Sequence, residues 1–393
     1  MNLREEALKL HSQHKGKLAT KSKVSINTKE DLSLVYTPGV AEVCKEIAAN
    51  PKSVYDYTFK SNSVAVVTDG SAVLGLGNIG AEASLPVMEG KCVLFKELAD
   101  IDAFPICIKT QNDREIINIV KNIAPAFGGI NLEDISAPRC FKIEEELLNI
   151  GIPVMHDDQH GSAIVILAAL MNGAKVVNKR IEDLKVVING AGAAGTAITK
   201  LLLCLGIDKN ICTSVREIVV CDSKGIIYDG RADLNEFKAQ LAKVTNGTRR
   251  KGTFKDALEG ADAFIGVSTA NLLDSNDLRT MNKDAIVFAM ANPVPEIMYD
   301  EAKKVAAIVG TGRSDYPNQI NNSLGFPGVF RGALDAKATM INNEMKIAAA
   351  HALANCLKPT KDNILPYTLD KTVVPKVAEA VKIAAIETGV VRS

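Results

Sequence analysis

The chain has 393 residues, of which 47% are hydrophobic and 23% are charged, so it can bury the cores of two domains. Lysine plus arginine equals aspartate plus glutamate at 46 each, and no basic segment stands out, which excludes nucleic acid and anionic membrane as expected partners. The longest apolar run, 163–171, is too short to cross a bilayer, which needs ~20 residues.

The amino-terminal segment and the cysteines bear on the cellular compartment. Residues 1–20 mix acidic and basic side chains and lack a continuous apolar stretch, so we expect neither a secretory signal nor a transit peptide. The eight cysteines form no CxxC pair and have no regular spacing. We therefore expect a cytoplasmic protein with reduced, mostly buried thiols.

The first part of the chain alternates helical and strand patterns with polar loops. The apolar spacing predicts an amphipathic helix over 3–15, followed by a polar loop over 20–31. A β-branched run over 64–68 predicts a strand that ends at the Asp69-Gly70 turn. Beyond this turn, we predict a helix over 81–90, strands over 92–95 and 104–108, and helices over 113–123 and 139–149.

The pattern becomes more regular after Pro153. The predicted elements are a helix over 162–178, a strand over 185–189, a helix over 194–206, a strand over 217–221, a helix over 233–242, and strands over 263–267 and 285–289. This alternation is typical of βαβ units in a doubly wound parallel sheet. We expect an α/β protein with an N-terminal α/β catalytic domain over 1–155 and a Rossmann-type dinucleotide-binding domain, with C-terminal helices, over 156–393.

A dinucleotide site is predicted where the strand 184–189 enters the glycine-rich segment 190–195, which has the GxGxxG pattern and precedes a helix. The first glycine permits a tight turn, the second lets the backbone approach the pyrophosphate, and the third allows close packing of helix on strand. The helix N-terminus offers free N–H groups to the phosphates. The expected contacts are Gly190, Gly192, Ala193, Ala194 and Gly195.

The choice between NAD and NADP depends on Asp222, which follows the next strand, 27 residues past Gly195. An acid at this position bonds an adenosine ribose hydroxyl and repels a 2′-phosphate, which favours NAD. Ser223 and Lys224 follow at once and could accommodate that phosphate, so NADP stays possible. A second GxGxxG segment, 75–80, precedes a helical pattern that contains Pro86, and we predict a loop that packs near the active site there.

Two acidic pairs indicate a divalent metal site. Glu133-Asp134 follows a predicted Gly-Gly-Ile-Asn turn, and Asp157-Asp158 lies between an apolar strand (152–155) and an apolar helix. Adjacent carboxylates between buried elements repel each other unless a cation neutralises them, and oxygen ligands suit Mg²⁺ or Mn²⁺. Two alternatives stay open: a Zn²⁺ site built on His156 and His160, and an aspartate of the second pair acting as a helix N-cap.

These motifs together resemble the malic enzyme family in its short, prokaryote-type form. The resemblance rests on Val35–Ala41, Glu89-Gly90-Lys91, Leu132-Glu133-Asp134, His156–Gly161, Ala289–Pro293, Gly312–Gln319, Asn321-Asn322 and Phe326–Gly328, in the order of the family. It implies a metal-assisted oxidative decarboxylation of malate to pyruvate with reduction of NAD(P). A second enzyme hypothesis is malolactic conversion of malate to lactate, and a non-enzyme hypothesis is a degenerate dinucleotide-sensing module.

The resemblance also implies roles for individual residues. Lys91 is the implied general base, with a pKa lowered by burial beside a cation, Tyr36 the general acid, and Asp157 a group that orients or tunes Lys91. The implied metal ligands are Glu133, Asp134 and Asp158; the implied cofactor contacts include Asn292 and Asn321; and the implied substrate contacts are Asn292 and Asn322.

One departure from the longer, eukaryote-type members concerns substrate binding. They carry an arginine near the Asp69-Gly70 turn, whereas this chain has Ala72, so another cation or main-chain amides near Gly75 must receive the malate carboxylate. The resemblance further implies a homodimer or a higher homo-oligomer. In such an assembly, Tyr36 could reach the site of a neighbouring subunit.

Overall fold

The computed structural model describes residues 3–392, and two mainly parallel sheets organise them. The first sheet has the order β2-β1-β3-β4, and all its pairings are parallel. Its strands are Ser63–Thr68 (β1), Asp102–Cys107 (β2), Gly129–Leu132 (β3) and Val154–His156 (β4). Strand β1 is buried along its whole length, as expected for a β-branched central strand covered on both faces.

Seven helices of the described chain accompany this first sheet. They are Leu3–His14 (α1), Lys29–Val35 (α2), Val40–Ala49 (α3), Val54–Tyr57 (α4), Ala81–Ala99 (α5), Asp113–Ile123 (α6) and Arg139–Leu147 (α7). Helix α2 begins in a capping box, in which Thr28 and Asp31 each bond the backbone N–H of the other. None of α1, α2 and α3 buries a residue, so the N-terminal segment lies on the surface of this chain.

The second sheet has the order β10-β9-β8-β5-β6-β7, and all its pairings are parallel except that of β7. Its strands are Lys185–Asn189 (β5), Glu217–Asp222 (β6), Gly225–Ile226 (β7), Ala263–Gly266 (β8), Ile286–Ala289 (β9) and Ile308–Thr311 (β10). The order in which strands are added to the sheet reverses between β5 and β8. Ligands of doubly wound sheets bind at such a switch point. The predicted α/β architecture with a Rossmann-type sheet is confirmed, whereas the division at 155/156 stays a prediction.

The remaining helices cover the second sheet and join it to the first. They are Asp157–Val176 (α8), Ala193–Leu202 (α9), Glu236–Val244 (α10), Phe254–Ala257 (α11), Ser275–Leu278 (α12), Tyr299–Ala302 (α13), Phe326–Asp335 (α14), Asn343–Ala354 (α15) and Val373–Glu387 (α16). Helix α8 packs against α9 and α15. We call the first sheet with its helices the first lobe, and the second sheet with its helices the second lobe. Residues of both lobes share one hydrophobic core, which fixes the first sheet relative to the second. Val64, Phe95 and Phe330 belong to this core.

Three element predictions were wrong. Residues 92–95, predicted as a strand, lie inside α5, and the predicted Gly-Gly-Ile-Asn turn before Glu133 is the buried strand β3. Helix α8 begins at Asp157, five residues before the predicted start at 162, and strand β10 was not predicted. Short apolar runs fit a strand and a buried helix equally well, so their tertiary surroundings decide the outcome.

The expectation of reduced thiols was wrong for two of the eight cysteines. Cys204 and Cys212 form a disulfide across the loop that follows α9. The other six cysteines are free; of these, Cys44 is exposed, whereas Cys92, Cys140 and Cys221 are buried. Among the helices within residues 3–392, none combines the length and apolar character needed to span a membrane.

Candidate active site

The strands of the first sheet bring three acidic segments to one edge. Because β1, β3 and β4 are parallel neighbours, their carboxyl ends lie side by side. Asp69 follows β1, Glu133 follows β3 and Asp157 follows β4. All three side chains are buried, so the sheet assembles a buried acidic site from segments that are distant in sequence.

Glu133, Asp134 and Asp158 form a carboxylate cluster with the composition of a divalent metal site. One oxygen from each of them lies within 4.8 Å of the others. The backbone N–H of Asp134 donates to Oδ2 of Asp158 at 2.8 Å, and Asn131 donates to Oε2 of Glu133 at 2.8 Å. Oδ2 of Asp134 is buried and has no hydrogen-bond partner in residues 3–392. An unsatisfied buried carboxylate oxygen beside two further carboxylates fits an oxygen-binding cation such as Mg²⁺ or Mn²⁺.

The pKa values of the carboxylates in the cluster also fit a site for a divalent cation. Burial raises the pKa values of Glu133, Asp134 and Asp158 well above the usual carboxyl range, and the neighbouring carboxylates raise them further. Burial likewise raises the pKa of Asp157 to about 7, although Lys91 opposes the shift. The apo site therefore holds protons that a divalent cation would displace.

Lys91 lies between two carboxylates on the inner face of α5. Its Nζ is 2.5 Å from Oδ2 of Asp157 and 2.9 Å from Oε1 of Glu133, and it lies 4.3 Å from the centroid of the Phe326 ring. Burial alone would lower the pKa of Lys91, but the charges of Asp157 and Glu133 outweigh burial and raise it. In the metal-free site two carboxylates contact the ammonium directly, and the lowered pKa expected beside a bound cation stays a prediction.

Asp157 connects the first lobe to the second. Its Oδ2 accepts hydrogen bonds from Lys91 and, at 2.5 Å, from Nδ2 of Asn322, which opens a short 3₁₀ turn before α14. Gly161 is required beside it, because a Cβ there would lie 1.8 Å from Oδ1 of Asp157. Gly161 belongs to the His156–Gly161 motif, and its steric role becomes apparent once Asp157 and Gly161 lie one turn apart in α8.

The structure overturns both alternatives for the segment that begins at His156. His156 itself occupies the N-cap position of α8, so neither Asp157 nor Asp158 caps this helix. Nε2 of His160 lies 2.9 Å from Oε2 of Glu144, and the metal-type cluster found among the described residues consists of carboxylates alone. A Zn²⁺ site on the two histidines is therefore not formed.

Not every residue expected in the site reaches this cluster. Tyr36 ends α2 with 68% of its surface exposed, and its hydroxyl has no hydrogen-bond partner in the part of the chain described. Asn321 uses its side-chain oxygen to accept bonds from Ser323. Asn292 follows β9. Its carbonyl oxygen is so close to Gly75 that a Cβ on this glycine would lie only 2.3 Å from it. The loop 75–80 thus packs against the second lobe at Asn292.

The glycine-rich segment 190–195 has the geometry of a dinucleotide-binding turn. Gly190 has a φ of +127° and approaches the carbonyl of Val267, and a Cβ on Gly195 would lie 1.7 Å from the carbonyl of Gly190. Helix α9 begins at Ala193 and continues through Ala194, with Gly192 at its N-cap and open space beside that glycine. This turn opens into a cleft of about 870 Å³ that also reaches Asp222. Its size and its helix N-terminus fit a dinucleotide.

Asp222 is bound by two cations that the sequence did not single out. Its Oδ2 accepts hydrogen bonds from Arg231 at 2.5 Å and from Lys238 at 2.7 Å, and Oδ1 accepts from the backbone N–H of Lys224. Burial would raise the pKa of Asp222, but these bonds prevail and lower it to about 2. Asp222 is therefore ionised, with its charge largely compensated by the two cations.

Comparisons with known proteins identify the family of this chain. The profile described as the malic enzyme N-terminal domain matches residues 13–148, and that of the malic enzyme NAD binding domain matches residues 159–387. The chain belongs to the malic enzyme family. It is 56% identical to the bifunctional malic/malolactic enzyme of Bacillus subtilis, over all of this chain and 95% of the relative.

Relatives of both cofactor types occur in this malic enzyme family. The chain is 48% identical to a probable NADP-dependent malic enzyme of Rickettsia prowazekii, over 98% of this chain and 52% of that relative. The crystal structure of the NAD-dependent malic enzyme of Thermotoga maritima superposes with a TM-score of 0.91, at 48% identity, over 96% of this chain and 98% of that one. The expected resemblance to the family is thus confirmed.

Proposed function

We propose that this malic enzyme family member oxidatively decarboxylates (S)-malate to pyruvate and CO₂, with reduction of NAD(P) and dependence on a divalent metal. The observation that carries the proposal is the convergence of Glu133, Asp134 and Asp158 beside Lys91. This cluster occupies the sheet edge that faces the second lobe, where Asn322 contacts Asp157. The site thus combines a cation-binding carboxylate cluster, a proton carrier and a neighbouring dinucleotide cleft.

The metal would be held by Glu133, Asp134 and Asp158, and its donor set of carboxylate oxygens suits Mg²⁺ or Mn²⁺. When bound, the cation supplies Lewis-acid polarisation of the substrate oxygens. The protein positions the ligands rigidly: Asn131 orients Glu133, and the backbone N–H of Asp134 orients Asp158. The main chain of Ala72 donates to the carbonyl of Asp134, which ties the turn after β1 to the cluster.

Lys91 is the proposed proton acceptor for the malate C2 hydroxyl. Two carboxylates hold its proton in the apo site, and engagement of Glu133 by a cation would remove one of these two charges. Asp157 then remains as the partner that positions Nζ. Burial of Lys91 and the contact with Phe326 keep water away from this ammonium.

Tyr36 is the proposed general acid that protonates C3 after CO₂ has left, and we propose that it acts in the site of a second copy. Tyr36 is exposed, and its hydroxyl has no hydrogen-bond partner within residues 3–392. The N-terminal helices leave large apolar side chains uncovered, among them Leu32, Leu34 and Val43. Such a surface is typical of a subunit interface. A homodimer would cover it and would bring Tyr36 to a partner.

The cofactor is proposed to be NAD, with NADP as the alternative. The turn at Gly190, Gly192 and Gly195 would hold the pyrophosphate, and Asp222 would meet the adenosine ribose. The charge of Asp222 disfavours a 2′-phosphate, but Arg231 and Lys238 compensate that charge. Asn292 and Asn321 remain proposed cofactor contacts, and Asn292 and Asn322 proposed substrate contacts. We also propose that the protein is cytoplasmic, where free malate and NAD(P) would be available to it.

A second candidate reaction is the malolactic conversion of malate to lactate, which the name of the Bacillus subtilis relative suggests. Cofactor would then be reduced and reoxidised within one turnover. Incubation with malate, NAD or NADP and Mn²⁺ distinguishes the two reactions, because only oxidative decarboxylation accumulates reduced cofactor together with pyruvate. We expect this accumulation, its loss in EDTA and its loss in an Asp158→Asn variant. Lactate without reduced cofactor would favour the second reaction.

A further inference from the structure

A second cavity is lined by Gln159 and His160, which follow Asp157 and Asp158 in the first turn of α8. It has a volume of about 1180 Å³ and is bounded by α7 of the first lobe and by α9 and α15 of the second. It adjoins the dinucleotide cleft at Phe141 and Phe237, whose ring centroids are 4.7 Å apart. We call it the rear cavity. Its volume would accept a metabolite larger than malate.

Lys346 is the first unusual feature of the rear cavity. It lies in the first turns of α15 and is only 6% exposed, yet within residues 3–392 its ammonium has neither a hydrogen bond nor an ion pair. Burial lowers the pKa of Lys346; Glu144 opposes this shift, and Lys200, which also lines the cavity, adds to it. Because the rest of Lys346 is buried, its ammonium is held at the wall of the cavity without a protein acceptor, and an anionic occupant would complete it.

Gln159 is the second feature, and it is independent of the first. It is 4% exposed, and its Nε2 is buried without a hydrogen-bond partner in the described chain. Glu144, a buried carboxylate that lines the same cavity, does not serve it. One oxygen of Glu144 accepts from the backbone N–H of His156, and the other bonds His160. Two buried donors, Gln159 and Lys346, thus line the same cavity without acceptors.

We propose that the rear cavity binds a metabolite through a carboxylate or phosphate group, whose oxygens accept from Lys346 and Gln159, and that this metabolite is an effector of the enzyme. An oxyanion supplies several acceptor lone pairs and a charge opposite to that of the lysine. Gln159 directly follows Asp158 in the first turn of α8, so an occupant contacts the turn that carries two acidic residues of the active site. The rear cavity adjoins the dinucleotide cleft, but neither the glycine-rich turn nor the carboxylate cluster is part of its lining.

Binding is tested on the full chain with saturating NAD and Mg²⁺, using inorganic phosphate and acetate as separate probes in isothermal titration calorimetry, with chloride as the ionic-strength control. We expect saturable binding of at least one probe, weakened tenfold or more in Lys346→Met. An exposed lysine on α16 gives the matched control, and Lys376→Met should bind as the wild type does. Binding of phosphate alone identifies a phosphate ligand, and binding of acetate alone identifies a carboxylate.

The proposal is overturned if neither probe binds at tens of millimolar, or if Lys346→Met binds as tightly as the wild type. Should Lys346→Met fail to fold, Lys200→Met at the exposed edge of the cavity provides the second variant, with a severalfold weaker affinity expected. The effector role is tested by malate kinetics, where the bound probe should change the KM for malate in wild type but not in Lys346→Met. An unchanged KM and kcat in both proteins would overturn the effector role and leave the proposed reaction untouched.

Discussion

Nδ2 of Asn322 donates to Oδ2 of Asp157 at 2.5 Å, and this bond joins the turn before α14 to the first residue of α8. The same carboxylate oxygen accepts from Lys91. The position of the proposed proton acceptor is therefore coupled, through one buried oxygen, to the lobe that carries the dinucleotide turn. Any movement of Asn322 on ligand binding would be transmitted to Lys91.

Replacement of Lys91 tests the proton acceptor. Lys91→Ala should lower kcat for malate oxidation by about 10²–10⁴, the usual contribution of a general base. Lys96→Ala, a change at a half-exposed lysine on the same helix, is the matched control and should leave kcat within twofold. Steady-state kinetics of both variants checks this, and full activity in Lys91→Ala would remove Lys91 from the mechanism.

Asp157→Asn tests the positioning role through the pH profile. The charge of Asp157 raises the pKa of Lys91, so its removal should lower that pKa. Because the base must be unprotonated to accept a proton, the acidic limb of the kcat profile should move to lower pH, while kcat itself falls. Asp300→Asn, an exposed change in α13, is the control. A lower kcat with an unmoved limb would indicate a merely structural residue.

Metal binding should stabilise the protein more at high pH than at low pH. The carboxylates of the apo cluster have raised pKa values, and the pKa of Asp157 beside them is about 7. The folded apo protein therefore binds more protons than the unfolded chain between about pH 4 and 7. Apo stability therefore falls as the pH rises through this window. Mn²⁺ binds only the unprotonated carboxylates, so its increase in Tm should be larger near pH 8 than near pH 6.

Thermal unfolding with Mn²⁺ or with EDTA at the two pH values measures this difference. Glu133→Gln should remove most of the metal-dependent increase in Tm. Glu145→Gln, at an exposed position of α7, should retain it. An increase in Tm that is equal at both pH values would contradict a proton-linked metal site at these carboxylates.

Lys238 should contribute to the use of NADP. It neutralises Asp222 together with Arg231, beside the position where a 2′-phosphate would lie. Lys238→Gln should lower kcat/KM for NADP by about tenfold or more, the size of one charge-assisted hydrogen bond, and should change the value for NAD much less. Lys243→Gln, exposed on the same helix, is the control. Equal losses with both cofactors would argue against this role.

A mixture of two inactive variants tests whether subunits share the site. If Tyr36 acts in the partner's site, heterodimers of Tyr36→Phe and Lys91→Ala contain one intact site. Random exchange of subunits should then restore about one quarter of the wild-type activity. Activity that stays at the level of the separate variants would assign Tyr36 to its own subunit or to no catalytic role.

The parts of the fold that the sequence predicted well depend on local pattern. The GxGxxG turn at 190–195 follows a strand and precedes a helix; Gly190 and Gly195 have the crowded geometry that the pattern requires, and Gly192 has open space beside it. The two acidic pairs were likewise recognisable, because adjacent carboxylates next to apolar runs need a compensating charge. The strand predicted over 92–95 was wrong because an apolar run of four residues is too short to distinguish a strand from a segment of a buried helix.

The parts that could not be predicted depend on long-range packing. Arg231 and Lys238 meet Asp222 only after β6 and α10 have folded together. The pairing of Glu144 with His160 and the isolation of Lys346 arise where three helices from both lobes converge. The exposed position of Tyr36 has its proposed explanation in a second chain, which one sequence does not describe.

The most direct test of the central claim follows the C4 carboxyl carbon of malate. With malate labelled in the C4 carboxyl group, Mn²⁺ and NAD or NADP, the account predicts labelled CO₂, pyruvate and reduced cofactor in equal amounts, and none of the three in Lys91→Ala. Labelled CO₂ released with lactate and without reduced cofactor, or reduced cofactor formed while the label stays in oxaloacetate, would contradict it.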